Sequence, residues 1–217
     1  MPESTGDRPL GVFGGTFDPV HLGHLRLAEE ATDALGLAGI RWIPAGQPAL
    51  RDAPQAAAQQ RLAMVRLATA GNPRFTVDAG EVEAARPSYT VQTLERLRRA
   101  DACGPQRPLV LLVGADAFAG LPAWHRWQSL FDLAHIAIAH RPGFPIAVAD
   151  LPATLAACWS ARFGDQPALL AESPSGRIVT FAMTQMAISA TQIRALLASG
   201  ASTRYLLPDA VIAHIHK

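Results

Sequence analysis

The pattern of apolar and polar positions divides the chain into short apolar runs alternating with longer segments of helical period. "LGVFGG" (10–15) predicts a buried strand, "TFDPVH" a loop, and "LGHLRLAEEATDALGL" (22–37) a helix with apolar residues three and four apart. "GIRWIPAG" (39–46) predicts a second strand, the Pro-punctuated "QPALRDAPQ" a loop, and "QQRLAMVRLATAG" (59–71) a helix. "RFTVDAGEV" (74–82) predicts a third strand and "SYTVQTLERLRRA" (88–100) a helix introduced by Ser88. "RPLVLLVGAD" and "AHIAIAHRPG" are continuous apolar runs, the signature of parallel strands covered on both faces. The stretch 144–175 has no regular period; "GRIVTFA" (176–182) predicts a last strand, and "SATQIRALLASG" and "PDAVIAHIHK" predict two C-terminal helices.

Strands alternating with helices predict an α/β fold: a Rossmann-like, doubly wound parallel sheet with helices on both faces and a small C-terminal helical segment (184–217). In such a sheet, ligands bind at the carboxyl ends of the strands. Three loops fall there: 14–24, 114–127 and 183–194. With 217 residues, 49% of them hydrophobic, one domain spanning 1–217 is expected, with a polar leader over 1–9. A net charge of +1 argues against a nonspecific grip on nucleic acid, so the expected partners are small molecules rather than polymers or membranes. "MPESTGDRPL" lacks the apolar core of an export signal and no long apolar run follows, so a cytoplasmic location is expected. Cys103 and Cys158 lie far apart without metal-ligand spacing and read as reduced. Every basic residue is Arg except Lys217, so anion contacts fall to Arg, His and backbone N–H, and lysine catalysis is excluded.

The densest chemistry is "GGTFDPVHLGH", Gly14 to His24. A Gly-Gly pair at a strand end lets a ligand approach the backbone, and the following helix start offers N–H groups to an anion, phosphate above all. His21 and His24, three apart, place two imidazoles on one side of that helix. Asp18 with the two histidines could also read as metal ligands, although no second cluster completes the set. There is no G-x-G dinucleotide fingerprint, no Gly-Lys of a P-loop and no G-x-S-x-G. In "ISATQIR", Ser189 and Gln192 fit a capping box, with Thr191 in the first turn and Arg194 about one turn inside. That pattern also suits an ordinary helix start with a solvated arginine.

Together these motifs carry a resemblance. "GGTFDPVHLGH" is similar to the T/HxGH signature of the nucleotidyltransferase superfamily related to class I aminoacyl-tRNA synthetases, and "ISATQIR" resembles its second phosphate motif. "PSYTVQTL", "VGADAFAGLPAWHRW", "HRPG" and "RYLLPDAVIAHI" resemble the bacterial nicotinate-nucleotide adenylyltransferases, over about Leu10 to Ile215. The resemblance implies transfer of AMP from ATP to nicotinate mononucleotide, with His21 and His24 as catalytic residues. It implies ATP contacts from Gly14, Gly15, Thr16, Phe17, Gly114, Ser189, Thr191 and Arg194. It places nicotinate mononucleotide on Thr90, Asp116, Trp124 and His125, with Trp124 stacking on the pyridine and Thr90 and His125 offering backbone N–H to the carboxylate. Mg2+ is implied on the ATP phosphates, without a dedicated protein site.

One departure concerns the loop after the second strand. Many family members carry Pro-Pro-His-Lys or Pro-Pro-His-Arg there, whereas this chain has "QPALRDAP", with Leu50 in place of the histidine and Arg51 keeping the charge. Arg96, Arg98 and Arg99 read as a solvated helix face, and Trp42 and Trp127 as core. Pantetheine-phosphate adenylyltransferases and cytidylyltransferases would share the first motif; "SYT", "LPAWHRW" and "ISATQIR" favour the nicotinate branch. A noncatalytic nucleotide-binding module on the same fold is the reading from another class, and the presence of both histidines argues against it.

Overall fold

A computed structural model describes residues 8–50, 52–84, 86–99, 104 and 106–216. Arg51, Cys103, Lys217 and most of the leader, on which the sequence reading placed expectations, lie outside the described residues. In chain order the elements are β1 (Leu10–Gly15), α1 (Leu22–Ala34), β2 (Gly39–Pro44), β3 (Gln47–Pro48), α2 (Ala58–Thr69), β4 (Phe75–Val77), α3 (Gly80–Glu83), β5 (Pro87–Ser88) and α4 (Thr90–Arg99). They continue with β6 (Leu109–Gly114), α5 (Ala115–Ala119), α6 (Leu130–Leu133), β7 (His135–His140), α7 (Ala153–Arg162), β8 (Ile178–Ala182), α8 (Ala190–Ala198) and α9 (Asp209–Ile215).

Six strands form one parallel sheet in the order β4-β2-β1-β6-β7-β8, and β3 and β5 form a separate two-residue pair. The order reverses between β1 and β6, which pair through Leu10–Leu109 to Val12–Leu111. This reversal is the crevice-forming switch point of a doubly wound sheet. Alternate residues of the apolar runs serve opposite faces. Phe13, Trp42, Val110, Leu112 and Ala137 pack with α1, α2, α8 and α9. Val12, Ile43, Leu111, Val113, Ile136 and Ile138 pack with α4, α5, α6 and α7. Burial of both faces is why these strands read as unbroken apolar runs.

Four readings are corrected. The third strand stops at Val77, because Asp78 turns the chain: its Oδ1 accepts from Gly80 N at 2.9 Å, and 80–83 become helical. Ser88 does not introduce α4. It pairs in β5, and its Oγ accepts from Gly46 N at 3.0 Å; the Tyr89 carbonyl starts the helix by accepting from Gln92 and Thr93. The aperiodic stretch holds α7, whose Leu155 and Trp159 alone are buried, too few to print a period on the sequence. Of the α4 arginines, Arg99 is exposed as expected, but Arg96 and Arg98 are not simply solvated. Arg96 pairs with both oxygens of Asp78 at 2.6 and 3.0 Å, and Arg98 donates to backbone carbonyls of three other segments.

Candidate active site

The carboxyl ends of β1 and β6 bring Gly14, Gly15 and Gly114 to the switch point, and α1 starts directly beneath. His21 is the extended N-cap residue of α1 and His24 its third residue. Their rings stack with centroids 3.6 Å apart and planes at 28°. The backbone N–H of His21 donates to His24 Nδ1 at 3.2 Å, which leaves the His24 proton on Nε2. Phe17 and Phe13 wall the His24 ring at centroid distances of 5.1 and 6.2 Å. Burial pushes His21 down to about 4. His24 is held well below 6.5 by burial first and by the neighbouring His21 second. Two stacked rings in an apolar setting cannot both carry charge, so at neutral pH both are neutral. His21 Nδ1 is buried without a hydrogen-bond partner.

Two glycines here are set by space. A Cβ on Gly23 would stand 3.1 Å from His21 Nδ1 and 3.2 Å from its Cε1, so Gly23 gives the ring its place. A Cβ on Gly15 would meet the Phe17 ring at 2.9 Å, whereas Gly14 faces open space. Phe17 itself sits at φ +50, a left-handed conformation that non-glycine residues rarely adopt.

The start of α1 differs from the sequence reading. Its amides are largely satisfied within the protein: Leu22 N–H donates to Leu206 O at 2.9 Å and His24 N–H to His21 O at 2.9 Å. The C-terminal segment thereby anchors the histidine pair, and the helix start is not an open anion cradle.

The second motif lies against the first. Ser189 caps α8, its Oγ accepting from Gln192 N at 3.1 Å. Arg194 Nη1 donates to Asp18 O at 2.8 Å, and its Nη2 to Thr191 Oγ1 at 3.3 Å. Asp18 is buried and anchors the opposite loop, its two oxygens accepting from Gln55 N at 2.8 Å and Ala56 N at 3.0 Å. Asp18 and Arg194 also border a cavity of about 340 Å3 between α2, α8 and α9; neither histidine lines it.

His125 lies beside the residue that precedes Thr90: the Tyr89 and His125 rings are 4.7 Å apart. Trp124 is half-buried against the apolar layer on the α4 side, while Asp116 is exposed in the first turn of α5. Trp42 is fully buried and Trp127 half-buried against Phe131, which places both in packing.

Three residues escaped the sequence reading. Gly23 lies within the quoted motif, but the place it gives the His21 ring does not show in the sequence. Arg141, next after β7, is exposed at the carboxyl edge, its carbonyl accepting from His140 Nδ1 at 2.9 Å. Arg61 is 1% exposed and donates only to backbone carbonyls: Thr16 at 2.7 Å, Ala45 at 2.6 Å, Gly46 at 2.8 Å and Ala56 at 3.1 Å. A signal for it exists, since Arg61 shares a helix face with Met64 and Val65, where an arginine cannot reach bulk water.

Known proteins place this architecture. Residues 12–196 match the cytidylyltransferase-like family model. A Dechloromonas aromatica protein named "Probable nicotinate-nucleotide adenylyltransferase" is 64% identical over 95% of this chain and 94% of its own. The chain belongs to the nicotinate-nucleotide adenylyltransferase family. A Pseudomonas aeruginosa PAO1 member of the same name is 47% identical over 95% of this chain and 94% of its own. The fold matches Plasmodium falciparum nicotinic acid mononucleotide adenylyltransferase, solved in complex with NaAD, at a TM-score of 0.69 and 12% identity over 96% of this chain and 95% of that one. As a member of this family the chain is a nucleotidyltransferase, and among the described residues no helix is long and apolar enough to cross a membrane.

Proposed function

We propose that the chain transfers the AMP moiety of ATP to the phosphate of nicotinate mononucleotide, giving deamido-NAD and pyrophosphate in NAD biosynthesis, in the cytoplasm. The observation that carries this reading is the neutral, stacked His21–His24 pair at the switch point, with His21 Nδ1 buried and unpartnered. The attacking group is already a phosphate oxygen. It forms the new bond to the α-phosphorus while the bond from that phosphorus to the bridging oxygen breaks, and the electron pair leaves with pyrophosphate. No general base is needed; alignment and stabilisation of the charge gathering on the leaving group are.

In this reading His24 Nε2–H and the His21 ring donate to the reacting phosphates. Gly14, Gly15, Thr16 and Phe17 cradle the triphosphate from below, and Gly114 closes the crevice from the neighbouring strand. Ser189, Thr191 and Arg194 receive the β- and γ-phosphates at the start of α8, where the helix dipole favours negative charge. Mg2+ enters with ATP as substrate. Asp18, the carboxylate nearest the motif, already accepts two backbone N–H groups, and the proposed ion is held by phosphate oxygens and water. Asp116 orients sugar hydroxyls and Trp124 stacks on the pyridine. Backbone N–H groups at Thr90 and His125 receive the nicotinate carboxylate, which accepts from both, whereas a carboxamide would face one of them with an N–H. Arg141 adds a cation to the same edge.

Pyrophosphate release from MgATP, with nicotinate mononucleotide, nicotinamide mononucleotide or phosphopantetheine as acceptor, tests the assignment. Release mainly with nicotinate mononucleotide is expected. Equal release with phosphopantetheine, or ATP binding without release, would overturn it. H24A is expected to lose turnover by about 100-fold or more while ATP affinity changes far less, as befits a donor that matters most in the transition state.

A further inference from the structure

Arg61 lies outside every motif that led to the adenylyltransferase reading, yet it is the most completely engaged charged side chain beneath the site. From the first turn of α2 its guanidinium reaches the ends of β1 and β2 and a residue two positions before its own helix, donating to Thr16, Ala45, Gly46 and Ala56 carbonyls. No carboxylate among the described residues pairs with it. Asp18 acts only through the field, and burial lowers the Arg61 pKa from its usual value without neutralising the group. An arginine buried at such desolvation cost against carbonyls alone needs an account beyond packing.

The geometry of the peptide unit supplies one. In a trans peptide the C=O of one residue and the N–H of the next point in opposite directions. The Thr16–Phe17 bond is trans, because the sole cis peptide among the described residues is Asp18–Pro19. With Thr16 O fixed on Arg61, Phe17 N–H must face away from it, and Phe17 N–H has no acceptor among the described residues. Phe17 also holds its left-handed backbone there, its ring locked 5.5 Å from Phe13, 5.3 Å from Trp42 and 5.1 Å from His24.

We propose that Arg61 is a positioning residue of the phosphate site: it turns the strand-end carbonyls onto itself and so presents the Phe17 amide to the triphosphate. Without it the Thr16 carbonyl is free to rotate toward the crevice, where it would repel a phosphate oxygen. The inference rests on the ATP-binding part of the proposed function and not on the identity of the acceptor.

The test uses the full chain and MgATP. R61K keeps the charge and loses the fork that reaches four carbonyls; R61Q keeps two donors and loses the charge. Both are expected to raise KM for ATP roughly tenfold and lower kcat by about 10–100-fold, the scale of a small misplacement of reacting groups. KM for nicotinate mononucleotide should stay within about threefold. Folded variants with wild-type kcat and KM for ATP, differing only in melting temperature, would make Arg61 a purely structural residue and overturn the proposal.

A second measurement needs no variant. In the 15N-labelled wild-type protein, MgATP should shift the Phe17 amide and slow its exchange, while the Arg61 Nε–H stays protected with and without nucleotide. A Phe17 amide indifferent to bound ATP would overturn the proposal whether or not the variants fold. ATP binding with no turnover on any acceptor would sink the acceptor assignment alone, and the Phe17 response would still decide the role of Arg61.

Discussion

At the scale of single residues, the catalytic role proposed for the histidine pair and its effect on stability share one physical cause. Burial holds His21 at about 4 when folded, against about 6.5 when unfolded. The unfolded chain therefore binds more protons between those values, so stability rises with pH across this window and falls as pH drops through it. At about 1.4 kcal/mol per pH unit, His21 alone removes about 3 kcal/mol by pH 4. His24 shifts in the same direction, as does His135, buried at the start of β7 with Nε2–H donating to Ser173 O and Nδ1 accepting from Arg177 N. Denaturant melts from pH 7 to pH 4 should show a steep loss of stability, and H21N should reduce its slope. An unchanged slope in H21N would mean that His21 titrates normally in the folded chain. The histidines themselves were legible in the sequence, because two imidazoles three apart beside a Gly-Gly pair are rare by chance. Their neutrality was not, since it depends on burial by the folded chain, with Phe13 and Phe17 walling the His24 ring.

At the scale of elements, the start of α1 is the instructive case. Helical spacing placed both imidazoles on one side, and they do stack. The Gly-Gly strand end and the helix start suggested free N–H groups for an anion, and those of Leu22 and His24 are taken up by Leu206 and by the local turn. Residues almost two hundred positions away made that outcome unreadable from a local window. Gly23 sits in this first turn for a reason equally hidden, the His21 ring lying only 3.1 Å from where its Cβ would be. Gly23→Ala should therefore separate two properties. Helix propensity favours alanine by about 1 kcal/mol, so the melting temperature should change little or rise. The displaced His21 ring should lower kcat by about tenfold or more, since small misplacements near reacting atoms are expensive in rate. Full activity in Gly23→Ala would show that the ring can move aside without consequence.

At the scale of the whole molecule, the doubly wound order was legible because burial on both sheet faces leaves unbroken apolar runs, and α7 was not because it buries so little. Arginines were the least legible elements of all, since sequence shows a charge and not the carbonyls around it. Two of them act as clamps at opposite edges of the sheet. Arg61 gathers the carboxyl ends of β1 and β2. Arg98 gathers the segments that lead into the amino ends of β6, β7 and β8, donating to Arg107 O at 2.6 Å, Leu133 O at 2.5 and 2.8 Å and Pro174 O at 2.7 Å. In a parallel sheet of this type, ligands bind at the carboxyl edge, so the amino-edge clamp can contribute to stability alone. Removing the Arg98 guanidinium strands three carbonyls away from their donors, and hydrogen bonds to a charged group contribute about 1.5–3 kcal/mol each before neighbouring losses overlap. R98M should therefore cost roughly 3 kcal/mol, a drop of about 6–12 °C in melting temperature for a chain of this size, while kcat and both KM values at 20 °C stay within about twofold of wild type. The contrast with R61K is the discriminating result: one clamp moves the melting curve and the other moves the KM for ATP. Equal catalytic damage from R98M and R61K would show that strain crosses the sheet from edge to edge, and that position on the sheet does not divide stability from function in this fold.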